Sequence, residues 1–316
     1  MLLLGLLALA HTASAIKNLV VFGDSYSDIG NVGIFTDNAN WVQDLAYGWN
    51  VGLYDYAYGG ATCDNSIEQY VQVPSMSEQV SNYVEHGQGK NMNPSESVYA
   101  LFVGINDANI FNASRTQAVA DCVSQQMQSL QQAYGAHTFL VLNLPPMQDS
   151  PGALAATPDI KQAKANWVVT YNQMLNQSVN SLDNSIELFL FNTWDLFNTV
   201  LANASAYGFT NTTGYWSQNP CTNSTYCPEN PGGIMGANDY MWFDGTHVTS
   251  GMHKLIANNI IEAQPFGIQG KTVQNQYIVN RTAHAIPEIN SQSTRISIHA
   301  ITPVLMSVLV VIATAL

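Results

Sequence analysis

The sequence predicts an α/β fold, with one domain built on a doubly wound parallel sheet that has helices on both faces. Two observations support this prediction. Short apolar segments rich in β-branched and aromatic residues alternate along the chain with longer segments of helical periodicity, which is typical of βα units around a buried parallel sheet. The length of 316 residues also fits, because α/β domains of ~250 residues commonly form around a single sheet.

The predicted elements follow in chain order. The strands are 18–22, a weaker segment 51–58, and then 98–103, 138–142 and 186–191. The helices are 75–86, 117–134, 160–182 and 249–263. Prolines at 145, 146 and 151 predict a turn or loop after the fourth strand.

One segment near the C-terminal third is predicted to be a single long loop. Residues 203–238 are dense in Asn, Thr, Gly and Pro, which are residues typical of turns. Long loops in compact enzymes often form walls of the substrate site. The alternative is a glycosylated spacer.

Composition excludes several classes of function. Hydrophobic residues make up 47% and charged residues 10%, so the chain is able to bury a large core and is not a disordered protein. The formal net charge is -13, with only 9 Lys and Arg residues. Since nucleic acids and anionic membranes are bound by clustered basic residues, neither is an expected partner.

The N-terminus has the pattern of a secretion signal. Residues 2–10 are almost wholly apolar, and Ala13-Ser14-Ala15 follows, which fits cleavage after Ala15 and a mature chain that begins at Ile16. No Lys or Arg precedes the apolar run, and a membrane-retained first helix is the alternative. Sequons for N-glycosylation, which agree with export, occur at Asn112, Asn176, Asn203, Asn211, Asn223 and Asn280.

The C-terminus has the pattern of a second processing signal. A catalytic domain over 16–268 is followed by a polar linker, 269–299, and a hydrophobic tail, 300–316. Small residues, a polar spacer and an apolar tail are typical of a glycosylphosphatidylinositol signal, which predicts a lipid anchor as the link to a membrane. A single spanning helix is the alternative, but the tail is shorter than the ~20 residues that a bilayer requires and it contains Pro303.

The cysteines predict disulfides rather than a metal site. An exported chain meets an oxidising compartment, where disulfides are the default. Cys221 and Cys227 are close neighbours in a Gly/Asn/Pro-rich stretch, so we expect them to pair, which leaves Cys63 with Cys122. Other connectivities remain possible for four cysteines. Their spacing lacks the Cys and His pattern of a zinc site.

A serine directly follows the first predicted strand. Segment 18–22 runs into Gly23-Asp24-Ser25. A serine just after a buried strand exposes its hydroxyl at the sheet edge, and the amides that follow are free to face a substrate. This is the position of a nucleophile, and an ordinary Gly-Asp-Ser turn is the alternative.

Asp244 and His247 form a second candidate group, just ahead of the last predicted helix. An imidazole takes a hydroxyl proton effectively when an acceptor holds its other nitrogen, and an Asp three residues earlier in a tight loop is able to reach it. The alternative is a surface pair near a helix start. The histidines predicted to be structural or solvent-facing include His86, His137, His253 and His284.

Four motifs in this order resemble those of the GDSL or SGNH hydrolase superfamily. They are Gly23-Asp24-Ser25-Tyr26, Ala57-Tyr58-Gly59-Gly60-Ala61, Gly104-Ile105-Asn106-Asp107 and Asp244-Gly245-Thr246-His247. The resemblance covers residues 18 to about 263. It implies the SGNH hydrolase fold, a three-layer α/β/α domain with a flavodoxin-like parallel sheet, and carboxylic ester hydrolysis.

The resemblance also implies a role for each site residue. Ser25 maps to the nucleophile, with His247 as its base and Asp244 as the residue that orients the base. The backbone amides of Ser25 and Gly60 and the side-chain amide of Asn106 map to the oxyanion hole. Donors fixed before the reaction contribute ~3 kcal/mol each in other hydrolases. The alternatives are a turn glycine at 60 and a helix cap at 106.

This chain departs from the family pattern at two positions. Tyr26 stands where the family has its eponymous Leu, and Asp55 stands where many relatives carry Asn at the start of the glycine motif. The neighbouring carboxylates of Asp24, Asp28 and Asp107 are predicted to support turns or caps rather than to take part in the chemistry.

The predicted reaction is acyl transfer to Ser25 followed by hydrolysis, and it needs no metal or organic cofactor. The sequence resembles extracellular fungal members of the superfamily, which implies an acetylated carbohydrate or another small-molecule ester as substrate, with a lipid ester as the alternative. Candidate sugar-stacking residues are several tyrosines together with Trp41, Trp49, Trp216 and Trp242, and the alternative is that these aromatic residues belong to the core. Two further alternatives are acyl transfer to another hydroxyl and a non-catalytic surface binding module.

Overall fold

The computed structural model of the protein describes residues 15–69, 73–86, 88–110, 112–218 and 237–274. Residues 1–14 of the predicted signal peptide lie outside the described residues, as do the hydrophobic tail and all of the predicted linker beyond 274. Five single predicted residues also fall outside these ranges, namely Cys221, Cys227, Asn223, Asn280 and His284.

A five-stranded sheet forms the centre of the fold, and all of its pairings are parallel. In spatial order its strands are β2 (Gly52–Asp55), β1 (Asn18–Gly23), β3 (Ser97–Phe102), β4 (Thr138–Leu142) and β5 (Glu187–Phe191). Each lies within one of the predicted strand segments or within one residue of it, so the parallel α/β sheet is confirmed. The weaker prediction, 51–58, is a strand over only four of its residues.

Helices cover the sheet in two groups, since α5 packs against α3 and α7, while α1 packs against α9. Their bounds are α1 (Trp41–Trp49), α2 (Asn65–Glu68), α3 (Met76–Glu85), α4 (Ile105–Ile110), α5 (Thr116–Tyr134), α6 (Pro151–Leu154), α7 (Pro158–Asn180), α8 (Thr193–Ala202) and α9 (Ser250–Ala263). The four predicted helices correspond to α3, α5, α7 and α9 and are confirmed.

Two longer helices, α1 and α8, were not predicted. Helix α1 has nine residues, seven of them buried, and its Trp, Tyr and Gly residues have a weak intrinsic preference for a helix. Helix α8 is rich in aromatic and β-branched residues, whose intrinsic preference for a helix is weak. Packing against the rest of the domain therefore overrides local propensity in both segments.

The prediction of one long loop over 203–238 is wrong for its first half. Strand β6 (Asn211–Tyr215) lies there and pairs in parallel with β7 (Tyr240–Trp242). The Trp242 indole Nε1 donates to the Thr212 carbonyl at 3.0 Å. The segment is rich in polar, turn-forming residues, so its sequence does not predict a strand. The strand forms because it pairs with a segment more than 20 residues further along the chain.

One predicted disulfide is present. Cys63, which precedes α2, is bonded to Cys122 in α5, 59 residues away. This confirms the predicted pairing of these two residues. Within the described residues, every helix is either too short or too polar to span a bilayer.

Candidate active site

The serine lies in a buried turn, residues 23–28, which we call the nucleophile turn. All six of its residues are buried, and Ser25 is 6% exposed. Gly23 is needed where β1 ends, because a Cβ atom there would lie 2.3 Å from the Phe102 carbonyl oxygen of β3. The Gln79 side chain accepts from the Gly23 amide at 2.9 Å and donates to its carbonyl at 2.8 Å. The turn is thus held from two sides.

The aspartate and the histidine lie in a tight, half-buried loop, residues 243–247, which we call the histidine loop. The Phe243 amide donates to the His247 carbonyl at 2.8 Å. One carboxylate oxygen of Asp244, Oδ1, accepts from the amides of Thr246 at 2.8 Å and His247 at 2.7 Å. This ring of local bonds holds the Asp244 carboxylate beneath the imidazole.

Ser25, His247 and Asp244 form a continuous hydrogen-bonded series. The second carboxylate oxygen of Asp244, Oδ2, lies 2.7 Å from His247 Nδ1, and His247 Nε2 lies 2.8 Å from Ser25 Oγ. Burial raises the pKa of Asp244, but the hydrogen bonds and charge of His247, together with the Thr246 amide, lower it by a larger amount. The pKa of Asp244 therefore lies below its usual value. The carboxylate is therefore ionised and accepts from Nδ1–H, which leaves Nε2 free to accept the serine proton.

Besides Ser25, the two other residues predicted for the oxyanion hole follow the strands on either side of β1. Gly60 follows β2 and Asn106 follows β3, and the strand order β2-β1-β3 places Ser25 between them at the carboxyl edge. Gly60 has φ +89°, a left-handed conformation that favours glycine. Among the described residues, no acceptor is bonded to the Ser25 or Gly60 amide.

Asn106 is linked directly to the glycine motif. Its side-chain Nδ2 donates to the Ala61 carbonyl at 2.9 Å, and the residue lies in the first turn of α4. Because an amide nitrogen carries two hydrogens, one remains for a ligand. The Asn106 side chain and the Gly60 backbone are therefore positioned as one unit.

Two buried aspartates hold this unit in place. Asp28 accepts four backbone amides, from Gly30 and Asn31 at 2.7 Å, from Val32 at 3.1 Å and from Gly59 at 2.7 Å. The last bond fixes the residue before Gly60. The predicted role of Asp28 as a turn support is confirmed.

Asp55, where this chain departs from the family pattern, also connects loops of the site. Its carboxyl oxygens accept from the amides of Ala57 at 3.1 Å and Ile29 at 3.0 Å. Burial, with the nearby charge of Asp28, raises the pKa of Asp55 well above its ordinary value. The turn network therefore tolerates an acid at this position.

Asp24 is fully buried beside the nucleophile. Its carboxyl accepts from the Tyr26 amide at 3.0 Å. Burial raises the pKa of Asp24 from 3.8 to about 7, although the amides of Tyr26 and Ile105 and the nearby His247 oppose the shift. A carboxyl that gains or loses its proton near neutral pH thus lies next to Ser25.

Aromatic side chains near the site differ from those expected. Trp41, Trp49 and Trp242 are buried, so the prediction that they form sugar-stacking platforms is wrong, since core packing covers their faces. Trp216 is half-buried and lies 5.7 Å from Phe243 of the histidine loop, measured between ring centroids.

Phe35 is a site residue that the sequence did not reveal. Its ring centroid lies 5.0 Å from that of His247, and its edge covers Gly59, where an added Cβ atom would lie 2.3 Å from the Phe35 ring. A single aromatic residue in a turn-rich segment offers no sequence signal for such a position. No three His, Cys, Asp or Glu side chains of the described ranges group as the ligands of a metal ion would.

A parallel sheet whose carboxyl edge carries this Ser–His–Asp arrangement defines the α/β class of serine hydrolases. Residues 19–260 match the profile of the family described as GDSL-like Lipase/Acylhydrolase. The chain therefore belongs to this family, consistent with a carboxylic ester hydrolase.

Curated relatives extend this comparison. The chain is 26% identical over 277 residues to the thermolabile hemolysin of Vibrio parahaemolyticus, covering 78% of this chain and 64% of that protein. It is 26% identical over 284 residues to an acetylesterase of Thermothelomyces thermophilus, covering 78% and 88% of the two chains. Among solved structures, the lipase Lip_vut3 from a goat rumen metagenome matches with a TM-score of 0.49 at 14% identity, over 79% of this chain and 98% of that one.

Proposed function

We propose that the protein is a serine esterase that hydrolyses carboxylic esters through an acyl-enzyme intermediate. The observation that carries this proposal is the unbroken series from Asp244 to His247 to Ser25, with contacts of 2.7 and 2.8 Å. Both distances fall in the range required for proton transfer from a nucleophile to an oriented base.

The reaction proceeds in two halves. Ser25 Oγ attacks the ester carbonyl carbon while His247 Nε2 takes the hydroxyl proton, and the resulting imidazolium returns that proton to the leaving alkoxide, which departs as an alcohol. Water then attacks the acyl-enzyme. His247 takes a proton from this water and delivers it to Ser25 as the acid is released.

Negative charge develops on the ester carbonyl oxygen during the attack. The amides of Ser25 and Gly60 and the Asn106 side chain donate hydrogen bonds to this oxygen. These donors are supported by their bonds to surrounding loops, so they need little reorganisation during the reaction. Asp244 remains ionised and stabilises the imidazolium.

A small acyl group, such as the acetyl group of an acetylated carbohydrate, is the proposed substrate feature. The curated acetylesterase relative supports this choice. The Phe35 ring over His247 narrows the site on one side, and Trp216 beside Phe243 offers an aromatic face that suits a sugar ring.

A longer, apolar acyl chain, as in a lipid ester, is the second candidate. It is favoured by the segment that carries Phe35, which also exposes Val32 at 50% and Ile34 at 43%. These side chains offer an apolar surface near the site. A rate comparison on p-nitrophenyl acetate and p-nitrophenyl decanoate separates the candidates, because a preference for decanoate contradicts the acetylesterase proposal.

The esterase proposal itself is tested by Ser25→Ala. We expect kcat on p-nitrophenyl acetate to fall by at least about 10³-fold with an unchanged melting temperature. Ser81→Ala, at an exposed position on α3, is the matched control and retains the parent rate. A Ser25→Ala protein that hydrolyses the ester at the parent rate overturns the proposal.

Export is a further part of the proposal, with 16–268 as the catalytic domain. The Cys63–Cys122 disulfide supports it, because disulfides persist in oxidising compartments. Sequons at Asn176 and Asn203 lie at exposed positions, where a glycan is accommodated. N-terminal sequencing that finds Ile16, and release from cells by a phosphatidylinositol-specific phospholipase, test the signal and the lipid anchor separately.

A further inference from the structure

We infer that Tyr26 is a positioning residue, whose hydroxyl holds the histidine loop at the distance from which His247 reaches Ser25. The inference rests on the proposed function, since it concerns the same nucleophile and base. It also gives a physical role to the tyrosine that replaces the eponymous leucine of the family motif.

A hydrogen bond between the two loops is the first observation. The Tyr26 hydroxyl donates to the Thr246 carbonyl at 2.7 Å, across 220 positions of the chain. Tyr26 directly follows Ser25, and Thr246 directly precedes His247. The bond therefore joins the immediate neighbours of the nucleophile and the base, and a leucine at this position has no group that could form it.

Packing fixes the tyrosine ring from which this hydroxyl projects. Tyr26 is 1% exposed, and its ring meets Phe102 edge-on at a centroid distance of 5.6 Å. The rings of His247 and His253 each lie 5.9 Å from it. Because the ring is confined on several sides, the hydroxyl acts as a fixed support rather than as a mobile contact.

The hydroxyl also keeps its proton throughout the working pH range. Burial, with the charges of Asp24 and Asp244, raises the pKa of Tyr26 well above its ordinary value. Burial lowers the pKa of His253 to about 3, so this neighbour remains neutral. The bond to Thr246 is accordingly present at every pH at which His247 acts as a base.

Other hydrogen bonds to the histidine loop come from different parts of the fold. The Gly152 amide donates to the Gly245 carbonyl at 2.8 Å, and the Ser217 amide donates to the Phe243 carbonyl at 2.9 Å. Between the nucleophile turn and the histidine loop, the described residues form two bonds, the Ser25–His247 contact and the Tyr26–Thr246 bond. Only the second is independent of the reacting atoms.

The variant Tyr26→Phe removes the hydroxyl and keeps the ring. We expect kcat on p-nitrophenyl acetate to fall about tenfold, with KM within about twofold of the parent, because misplacement of reacting groups slows the chemical step. Inactivation by an organophosphonate that reacts with active-site serines should slow by the same factor. The pKa seen in the pH profile of kcat/KM should stay constant, since the Asp244–His247 bond is retained.

Tyr134→Phe is the matched control. Its hydroxyl also donates to a backbone carbonyl, that of Val84, at 2.9 Å, but it joins α5 to α3 away from the site. Both variants should show a similar, small fall in melting temperature, because each loses one hydrogen bond to a backbone carbonyl. Only Tyr26→Phe should lose kcat, and Tyr26→Leu, which also removes the ring contacts, should lose more.

Each alternative result has a distinct meaning. A Tyr26→Phe protein that melts earlier yet keeps the parent kcat per titrated serine overturns the inference, because the bond is then merely structural. If the parent protein hydrolyses no ester, the proposed function fails, while organophosphonate inactivation still measures whether Tyr26 places His247 against Ser25. An equal inactivation rate in the parent and Tyr26→Phe overturns the positioning role whatever the substrate.

Discussion

The nucleophile turn and the histidine loop supply the two halves of one site, but they are held in different ways. Every residue of the nucleophile turn is buried, and its backbone contacts β3 and α3. The histidine loop is half-buried, with the side chains of His247 and Asp244 17% and 33% exposed. Its shape depends on bonds within itself and on a few bonds from other segments.

Because of this difference, we expect substitutions in the two regions to affect different properties, stability in one and reaction rate in the other. The serine is placed by the same packing that forms the sheet, so changes at the nucleophile turn, apart from the Ser25 and Tyr26 hydroxyls, should act first on stability. His247 is placed by a small number of hydrogen bonds in a half-buried loop, so changes at the histidine loop should act first on the rate. Four substitutions test this division.

The largest effect is expected from Asp244→Asn in the histidine loop. The asparagine amide would donate to His247 Nδ1, which leaves Nε2 protonated and unable to accept the Ser25 proton. We expect kcat to fall about 10³- to 10⁴-fold, with little change in the melting temperature. A loss below tenfold in steady-state assays would contradict the assigned role of Asp244.

Gly23→Ala in the nucleophile turn should act on folding instead. The added methyl group would lie 2.3 Å from the Phe102 carbonyl oxygen, which forces β1 and β3 apart. We expect at least about 3 kcal/mol of destabilisation in urea unfolding, as for other backbone clashes in a core. Gly33→Ala, where the nearest atom is 3.4 Å away, is the control, and equal stabilities of the two variants would show that the turn is adjustable.

Asp24→Asn should remove a pH-dependent loss of stability that arises from burial of the Asp24 carboxyl group in the nucleophile turn. Burial raises the pKa of Asp24 from 3.8 to about 7, so the native protein holds this proton more tightly than the unfolded chain. The contribution of this group to stability therefore falls as the pH rises from about 4 to about 7. The asparagine variant has no titrating group at this position, so it does not lose stability over this range. Its free energy of unfolding should exceed that of the parent by up to about 4 kcal/mol at pH 8.

Urea unfolding at pH 5 and pH 8 measures this effect. At pH 5 the carboxyl is mostly protonated in the native protein, and the variant should show a smaller gain. Asp159→Asn, at an exposed position on α7, is the control. If the gain of Asp24→Asn is no larger at pH 8 than at pH 5, Asp24 is not the titrating group.

The smallest effect is expected from Gly152→Ala, which touches the histidine loop from outside. An added Cβ atom would lie 2.8 Å from the Gly245 carbonyl oxygen, and the half-buried loop is free to move away. We expect about a tenfold loss of kcat with a small change in melting temperature. Ala155→Ser, also exposed, serves as the control. A large loss of stability with unchanged kcat would contradict the prediction that changes at the histidine loop act mainly on the rate.

The order of the elements and the local parts of the site could be predicted from the sequence. Apolar periodicity identified the five central strands, and Gly23-Asp24-Ser25 directly after the first of them identified the nucleophile turn. Asp244 and His247 are three residues apart, so their contact forms within one loop. Features of this kind can be predicted because residues close together in the sequence make the interactions that define them.

The tertiary structure decided most of the contacts between distant groups. The family resemblance implied that His247 meets Ser25, 222 positions away, but no motif implied the contact of Tyr26 with Thr246, which spans 220 positions. Burial of Trp41 and Trp242, the place of Phe35 over His247 and the raised pKa of Asp24 likewise depend on neighbours from separate segments. Composition and periodicity report the local chain, whereas these contacts, and the exclusion of water that accompanies them, arise only when the complete sheet and its helices pack together.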